Sequence, residues 1–321
     1  MINITIKQQI GMLQKFADIL ESPLENGKLT IPINKGKGYL KGLFLGNGMG
    51  MMIRNYELYE DMLVSKKGDN EAIDRIIINF SNIFFDDEGI RSELTPKDLP
   101  TVQIGKGKID IEMLIPKRVK YRTILIGIDK KRLKELLGEQ KGIIIYEEIL
   151  ETEHVLLFEE IITPAIQKVA NEIIECAVPP NLQNVYWKIK ANEIICLLFA
   201  ELFKRENSPV QNLNENDVVI IYQIRDQILQ QLNVPPLLSN LAKQSGMSES
   251  KLKKLFKQIF GNSIFNYYQT FRMKEAARLL NEKKLTVSEV GYHLGFSNMS
   301  HFGKIFEEHI GMKPKKYSSS V

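Results

Sequence analysis

The feature of this chain that most limits its fold is a pattern occurring twice near the C-terminus. Leu241-Ala242, followed by Gly246, Leu252 and Phe256, recurs as Val290-Gly291, followed by Gly295, Phe302 and Phe306, at offsets of 49, 49, 49, 50 and 50 residues. In each copy a small residue precedes a glycine by four positions and an apolar i, i+4 pair comes next. Two helices crossing closely at a glycine turn, the second burying one face, meet these requirements, so the pattern predicts two helix-turn-helix units. Ser248 and Ser297 stand where the second helix of each unit is expected to begin, and Thr286-Val287-Ser288-Glu289 has the form of a capping box. Between the units, Ser263 to Asn281 reads as one helix capped by Ser263, with Gly261 ending the helix before it. About 18 residues at ~1.5 Å each give it a length of ~27 Å.

Charge separates this segment from the rest of the chain. From residue 215 onward fifteen basic residues face nine acidic ones, a balance of +6, whereas residues 1–214 carry −2. A basic third on a slightly acidic remainder implies different partners for the two parts. With 44% hydrophobic and 26% charged residues, the 321-residue chain is neither disordered nor fibrous, and its length predicts roughly two domains. The longest strictly apolar run in the helical part, Ile194 to Ala200, falls far short of the ~20 residues of a membrane span. Met1 to Gln9 alternates apolar and polar residues instead of placing a basic cluster before an apolar stretch, so no secretory signal is expected and the expected location is cytoplasmic. Cys176 and Cys196 form no Cys-x-x-Cys spacing and read as buried thiols.

The first 145 residues read as β-rich. Leu29-Thr30-Ile31-Pro32-Ile33, Ile76-Ile77-Ile78-Asn79-Phe80 and Ile109-Asp110-Ile111-Glu112-Met113-Leu114 are short strand-like runs between Gly, Asn and Asp clusters, a pattern that favours a barrel or sandwich. Gly46-x-Gly-x-Gly50 and Gly105-Lys-Gly-Lys108 lack a P-loop ending and read as turns between strands. A helix is expected from Asp129 to Leu137, ended by Gly138. Helical spacing then predicts helices over 159–177 and 185–204, parted by Pro179-Pro180. Ile195, Leu198, Phe199 and Leu202 exceed what one barrel wall should need, and are expected to form a stripe that pairs between subunits. The polar, Pro-containing stretch around 208–216 reads as a linker. The expected domains are therefore 1–207, with a β-rich part over 1–150 and helices over 159–204, and 217–321, joined by 208–216.

Thr286-Val287-Ser288-Glu289-Val290-Gly291-Tyr292-His293-Leu294-Gly295-Phe296-Ser297-Asn298-Met299-Ser300-His301-Phe302 resembles the AraC/XylS transcription regulators. So do Lys304-Ile305-Phe306, the Gly311-x-x-Pro314-x-x-Tyr317 ending, and the first unit from Leu241-Ala242 through Gly246-Met247-Ser248 to Phe256-Lys257 and Gly261. Two positions depart: Gly291 stands where Ala is usual and Gly303 where Ser or Thr is usual. The resemblance implies an α+β chain: an N-terminal β-rich, cupin-like barrel with a helical dimerisation pair, then an all-α C-terminal domain with two helix-turn-helix units. The arrangement around Tyr186-Trp187-Lys188-Ile189-Lys190-Ala191-Asn192-Glu193 is similar to the siderophore-responsive, pyochelin-type branch.

In the first recognition helix Leu252, Leu255, Phe256 and Ile259 mark a buried stripe, leaving Ser250, Lys251, Lys253, Lys254 and Lys257 for solvent or DNA. The resemblance puts Ser250, Lys253 and Lys254 on base or phosphate contacts, and Met299, Ser300, His301, Gly303 and Lys304 on their equivalents in the second helix. Lysine suits guanine acceptors or phosphate, serine is permissive, and methionine can meet a thymine methyl. Phe256, Phe302 and Phe306 are expected in the core. His293, His301 and His309 span two predicted helices without a Cys or carboxylate ligand set, so no metal and no cofactor are expected.

The expected function is a ligand-responsive regulator, an activator, and no enzyme. Its expected partners are double-stranded promoter DNA read in the major groove, a small-molecule effector, RNA polymerase and a second copy in a homodimer, with no membrane partner. One alternative is a barrel enzyme carrying a DNA-binding module; residues 1–150 contain no His for a metal-cupin site, and no Cys for alkyl transfer occurs before Cys176. The other is an effector-independent architectural DNA-binding protein. The effector, its binding residues and the target sequence are not encoded in these spacings.

Overall fold

Period-two alternation organises the first unit: along Arg75–Ser81, Ile76, Ile78 and Phe80 are fully buried while the residues between them are half-buried. The computed structural model describes residues 2–6, 12–66, 75–82, 100–106, 111–151, 156–205, 213–281 and 285–320. These fall into two units, with the boundary between Glu215 and Asn216.

The strands of the first unit are β1 (Ile2–Ile6), β2 (Leu24–Glu25), β3 (Lys28–Thr30), β4 (Gly36–Gly46), β5 (Met49–Leu58), β6 (Met62–Lys66), β7 (Arg75–Ser81), β8 (Thr101–Lys106), β9 (Ile111–Ile115), β10 (Lys120–Asp129) and β11 (Leu156–Ile161). Eight of them form an antiparallel sheet ordered β11-β8-β7-β10-β5-β4-β3-β2, and β1-β6-β9 form a second sheet. The Gly46-x-Gly-x-Gly50 run is a hairpin turn as expected, with Asn47 and Gly48 at φ +50° and +69° joining β4 to β5. Gly105 lies inside β8 rather than in a turn, and residues 107–110 fall outside the described set. Among the described residues no pairing joins β11 to β2, so the expected barrel is not closed; a two-residue edge strand offers too short a ladder to close it.

Among the described residues five α-helices accompany the sheets: α1 (Met12–Leu20), α2 (Lys130–Leu137), α3 (Ile144–Glu151), α4 (Pro164–Glu175) and α5 (Gln183–Leu202). On one face of the large sheet Met51, Ile53, Ile78, Phe80, Ile126 and Phe158 pack against α4 and α5. On the other, Leu40, Tyr56 and Leu58 meet α1 and the small sheet through Phe16, Leu20, Met62 and Val64. Three expectations need correction here. Residues 159–161 belong to β11, because Thr163 caps and Pro164 opens α4 only afterwards. Ile195, Leu198, Phe199 and Leu202 are at most 1% exposed and belong to the core, not to a free stripe; α5 is apolar on two sides and these four face the sheet. Cys196 is exposed and Cys176 is half-buried in a left-handed cap, so neither is a fully buried thiol.

The described residues of the second unit build helices with no strand among them: α6 (Glu215–Gln230), α7 (Leu238–Ser245), α8 (Glu249–Phe260), α9 (Ile264–Asn281), α10 (Val287–His293), α11 (Met299–Ile310) and α12 (Pro314–Ser320). Helix α9 is the axis on which the others assemble: α8, α10, α11 and α12 all pack on it. Ten of its residues are buried, among them Tyr268, Phe271 and Leu280. Glu215 and Asn216, placed in the linker by their polarity, begin α6, while residues 206–212 lie outside the described set.

Candidate nucleic-acid interface

The first helix-turn-helix is α7 and α8. Gly246 turns the chain at φ +65°, and the Ser248 hydroxyl accepts the Lys251 backbone N–H at 3.2 Å, which caps α8 as expected. Leu252, Leu255, Phe256 and Ile259 are at most 1% exposed and fix the inward face. Ser250, Lys251, Lys253, Lys254 and Lys257 are accordingly all exposed. Their electrostatic settings differ. The Lys251 ammonium lies 2.9 Å from the carboxylate of buried Asp217, so it ties α8 to α6. Lys253 lies 3.8 Å from Glu249 across one turn, an exposed contact that phosphate or a base edge can replace at little cost.

The second unit, α10 and α11, opens on the capping box read from the sequence: the Thr286 hydroxyl accepts from Glu289 N–H at 3.3 Å, and the Glu289 carboxylate accepts from Thr286 N–H at 2.7 Å. The Thr286 N–H, and with it the Thr286 hydroxyl, holds the Glu289 carboxyl below its ordinary pKa. The cap of α11 is Asn298 and not Ser297; its side-chain oxygen accepts the His301 N–H at 3.0 Å. Ser300, His301 and Lys304 are exposed, and Phe302 and Phe306 are fully buried. Lys304 reaches Glu308 only at 4.0 Å. Met299 is half-buried and lies over Gly291 of α10: a Cβ on that glycine would meet the Met299 sulfur at 2.6 Å. Gly291 thus accommodates Met299, which accounts for one departure from the family pattern. Gly303 faces open space.

Charge composition alone does not reveal Arg272. It is 5% exposed, it stacks 3.7 Å from the Phe296 ring, and its guanidinium donates to the Leu294 carbonyl through Nε at 2.9 Å and again through Nη2. Leu294 and Gly295 form the turn of the second unit, so a buried cation on α9 holds the angle between α10 and α11. Burial lowers its pKa. Its place four residues after Tyr268 and four before Ala276, both buried, is the signal that could have assigned it inward. Gly295 itself has φ +79°, and a Cβ there would lie 2.1 Å from the Asn233 carbonyl oxygen, so glycine is required both for conformation and for space.

The outcome is two capped helices, each with its aromatic face buried and a short row of hydroxyls, lysines and an imidazole outward, mounted on one 18-residue helix. Among the described residues no group of three His, Cys, Asp or Glu side chains is placed to hold a metal, and no helix is long and apolar enough to cross a membrane.

Residues 241–320 match a family model described as a helix-turn-helix domain. The chain is 33% identical over 125 residues to the regulatory protein PchR of Pseudomonas aeruginosa, an alignment covering 38% of this chain and 42% of that one. It is 28% identical over 149 residues to the Msm operon regulatory protein of Streptococcus mutans, covering 46% and 53%. The chain thus spans about half the length of these curated relatives. A solved structure of apo ToxT from Vibrio cholerae aligns over 85% of this chain and 97% of its own, at 15% identity and a TM-score of 0.32.

Proposed function

We propose, from a C-terminal unit that is an AraC/XylS-type helix-turn-helix domain, that the chain is a sequence-specific, ligand-responsive transcription regulator acting as an activator, and not an enzyme. The observation that carries this reading is the pair of outward polar rows, one on each recognition helix, held in register by α9. At ~27 Å that helix is commensurate with the ~34 Å between major grooves on one side of B-DNA, so successive grooves receive the two helices. Ser250, Lys253, Lys254 and Lys257 serve the first groove, with Lys251 beside them in its ion pair; Met299, Ser300, His301 and Lys304 serve the second. Residues 217–321 are the DNA-binding domain and 1–207 the effector-sensing and dimerisation domain, with the join ahead of α6. The partners are promoter DNA, a small-molecule effector bound by the first unit, RNA polymerase, and a second copy of the chain; the setting is the cytoplasm.

The test is a selection of the full chain on randomised duplexes, followed by titration of single variants at several salt concentrations. Lys253→Ala should lose roughly 1–3 kcal/mol on the selected site and relax preference at one or two base pairs. Lys304→Ala should weaken all duplexes alike and reduce the log-log salt slope by about one. A chain that selects no sequence, or two variants that bind as the parent does, would overturn the reading.

A further inference from the structure

One end of the large sheet's second face, beside the β4–β5 hairpin, is hollow. Gly50 and Gly127 are neighbours across β5 and β10, and their missing side chains, with Leu13 of α1, Met52 and Leu125, leave a cavity of about 510 Å³, within the usual size of a small-molecule site. Arg75, at the start of β7, extends along this floor. A Cβ on Gly127 would meet its Nε at 2.7 Å, and one on Gly50 would lie 3.5 Å from its Nη2. Its register partner is Asp129 on β10, whose carboxylate leans over Gly48. Among the described residues neither side chain makes an ion pair, and the buried Arg75 Nε has no hydrogen-bond partner.

The neighbouring layer of the same face pairs some of its polar groups across the strands, although Arg54 Nε and the Tyr56 hydroxyl are also buried without a partner; Arg75 differs from them in lining the cavity. Arg54 donates to Asn79 at 3.2 Å and Gln103 to Glu159 at 3.0 Å. Buried N–H groups are otherwise matched in folded proteins, so a guanidinium left open beside an apolar cavity marks a place for an acceptor from outside the chain. A guanidinium fork fits a planar oxyanion, and the facing Asp129 accepts a donor. We propose that this cavity is a binding site for an organic anion with an apolar body, one carboxylate or sulfonate seated on Arg75, and a hydrogen-bond donor turned to Asp129. Only the further step of naming that anion the effector rests on the regulator reading.

The probe is 1-anilinonaphthalene-8-sulfonate, which has all three features, compared with N-phenyl-1-naphthylamine, which keeps the rings and the N–H and lacks the sulfonate. Fluorescence titration of the full chain should give one site that prefers the sulfonate by about tenfold, the scale of one charge-assisted hydrogen bond. Arg75→Gln should abolish that preference while leaving the neutral probe's affinity unchanged, and Arg75→Lys should retain part of it. If Arg75→Gln does not fold, competition on the unmutated chain decides: 1-naphthoate should displace the sulfonate probe and 1-naphthamide should not. Equal affinity for the two probes, an undiminished preference in Arg75→Gln, or displacement by the amide would overturn the site. Sequence selection on the same preparations separates the two readings. Its failure with the anion preference intact removes the regulator and leaves the site, whereas its success without an Arg75-dependent preference removes the site alone.

Discussion

Arg272 and Lys274 both count towards the +6 of the last third, and neither is available to DNA. Lys274 is half-buried on α9, its ammonium 6.0 Å from the Phe271 ring, and burial pushes its pKa from 10.5 down to about 8. The linkage follows directly. In the unfolded chain the lysine keeps its proton up to about 10.4. Between about 8 and that value the unfolded state binds more protons than the folded one, so folding stability rises with pH across this window and is penalised below it. Lys274→Met should therefore raise the melting temperature of the C-terminal unit at neutral pH. The advantage should shrink through about pH 8 and vanish near pH 10, where the native lysine is neutral as well. Calorimetry of parent and variant across that range checks it; a gap that does not change with pH would show that the ammonium is solvated. A basic residue in a DNA-binding segment is thus evidence of contact only after its face of the helix is known.

Helices α10 and α11 show how two residues settle one crossing. Gly291 sacrifices about 1 kcal/mol of helix propensity relative to alanine, and in return Met299 lies down across the helix crossing. In the parent, Gly291→Ala should bring little or no stability, because its methyl meets the Met299 sulfur at 2.6 Å and must displace it. In a Met299→Ala background the same change should stabilise by about 0.5–1 kcal/mol. Denaturant unfolding of the four chains of this cycle measures the coupling; additivity would mean that the two side chains do not share space. Such pairings are the part that spacing cannot reveal, although it gave both turns, the Thr286 capping box and the buried phenylalanines. In the first unit the limits lie elsewhere. Leu156-Leu157-Phe158-Glu159-Glu160-Ile161 is short enough to fit either period, and Phe158, Ile162 and Ile166 happen to fall at helical spacing across a strand, a cap and a helix. Pro164 was the available boundary signal. Arg75 was illegible for another reason: its importance depends on glycines in β5 and β10, far from it in sequence.

A second copy of the chain would double the number of recognition helices on DNA. The four residues first expected to pair between copies are core, yet α5 and the turn before it carry another apolar row on the outside: Leu182, Val185 and Ile189 are 50%, 57% and 57% exposed, and Cys196 continues the line. Their spacings of three, four and seven place them on one helix face, the requirement for a self-complementary contact about a twofold axis. A Val185→Lys, Ile189→Lys chain leaves the core stripe of Ile194, Ile195, Leu198 and Phe199 intact, so it should fold with an unchanged circular dichroism spectrum. Sedimentation at tens of micromolar should show the parent as a dimer and this variant as a monomer. On the selected DNA site the monomer should make about half the phosphate contacts, so its log-log salt slope, near −0.9 per contact, should fall by about half. The slope is the sharper readout, because the two added lysines raise general affinity for DNA without restoring the second pair of recognition helices. A parent that sediments as a monomer, or a variant with the parent's slope, would show that α5 does not join two copies and that one pair of helices reads the site alone.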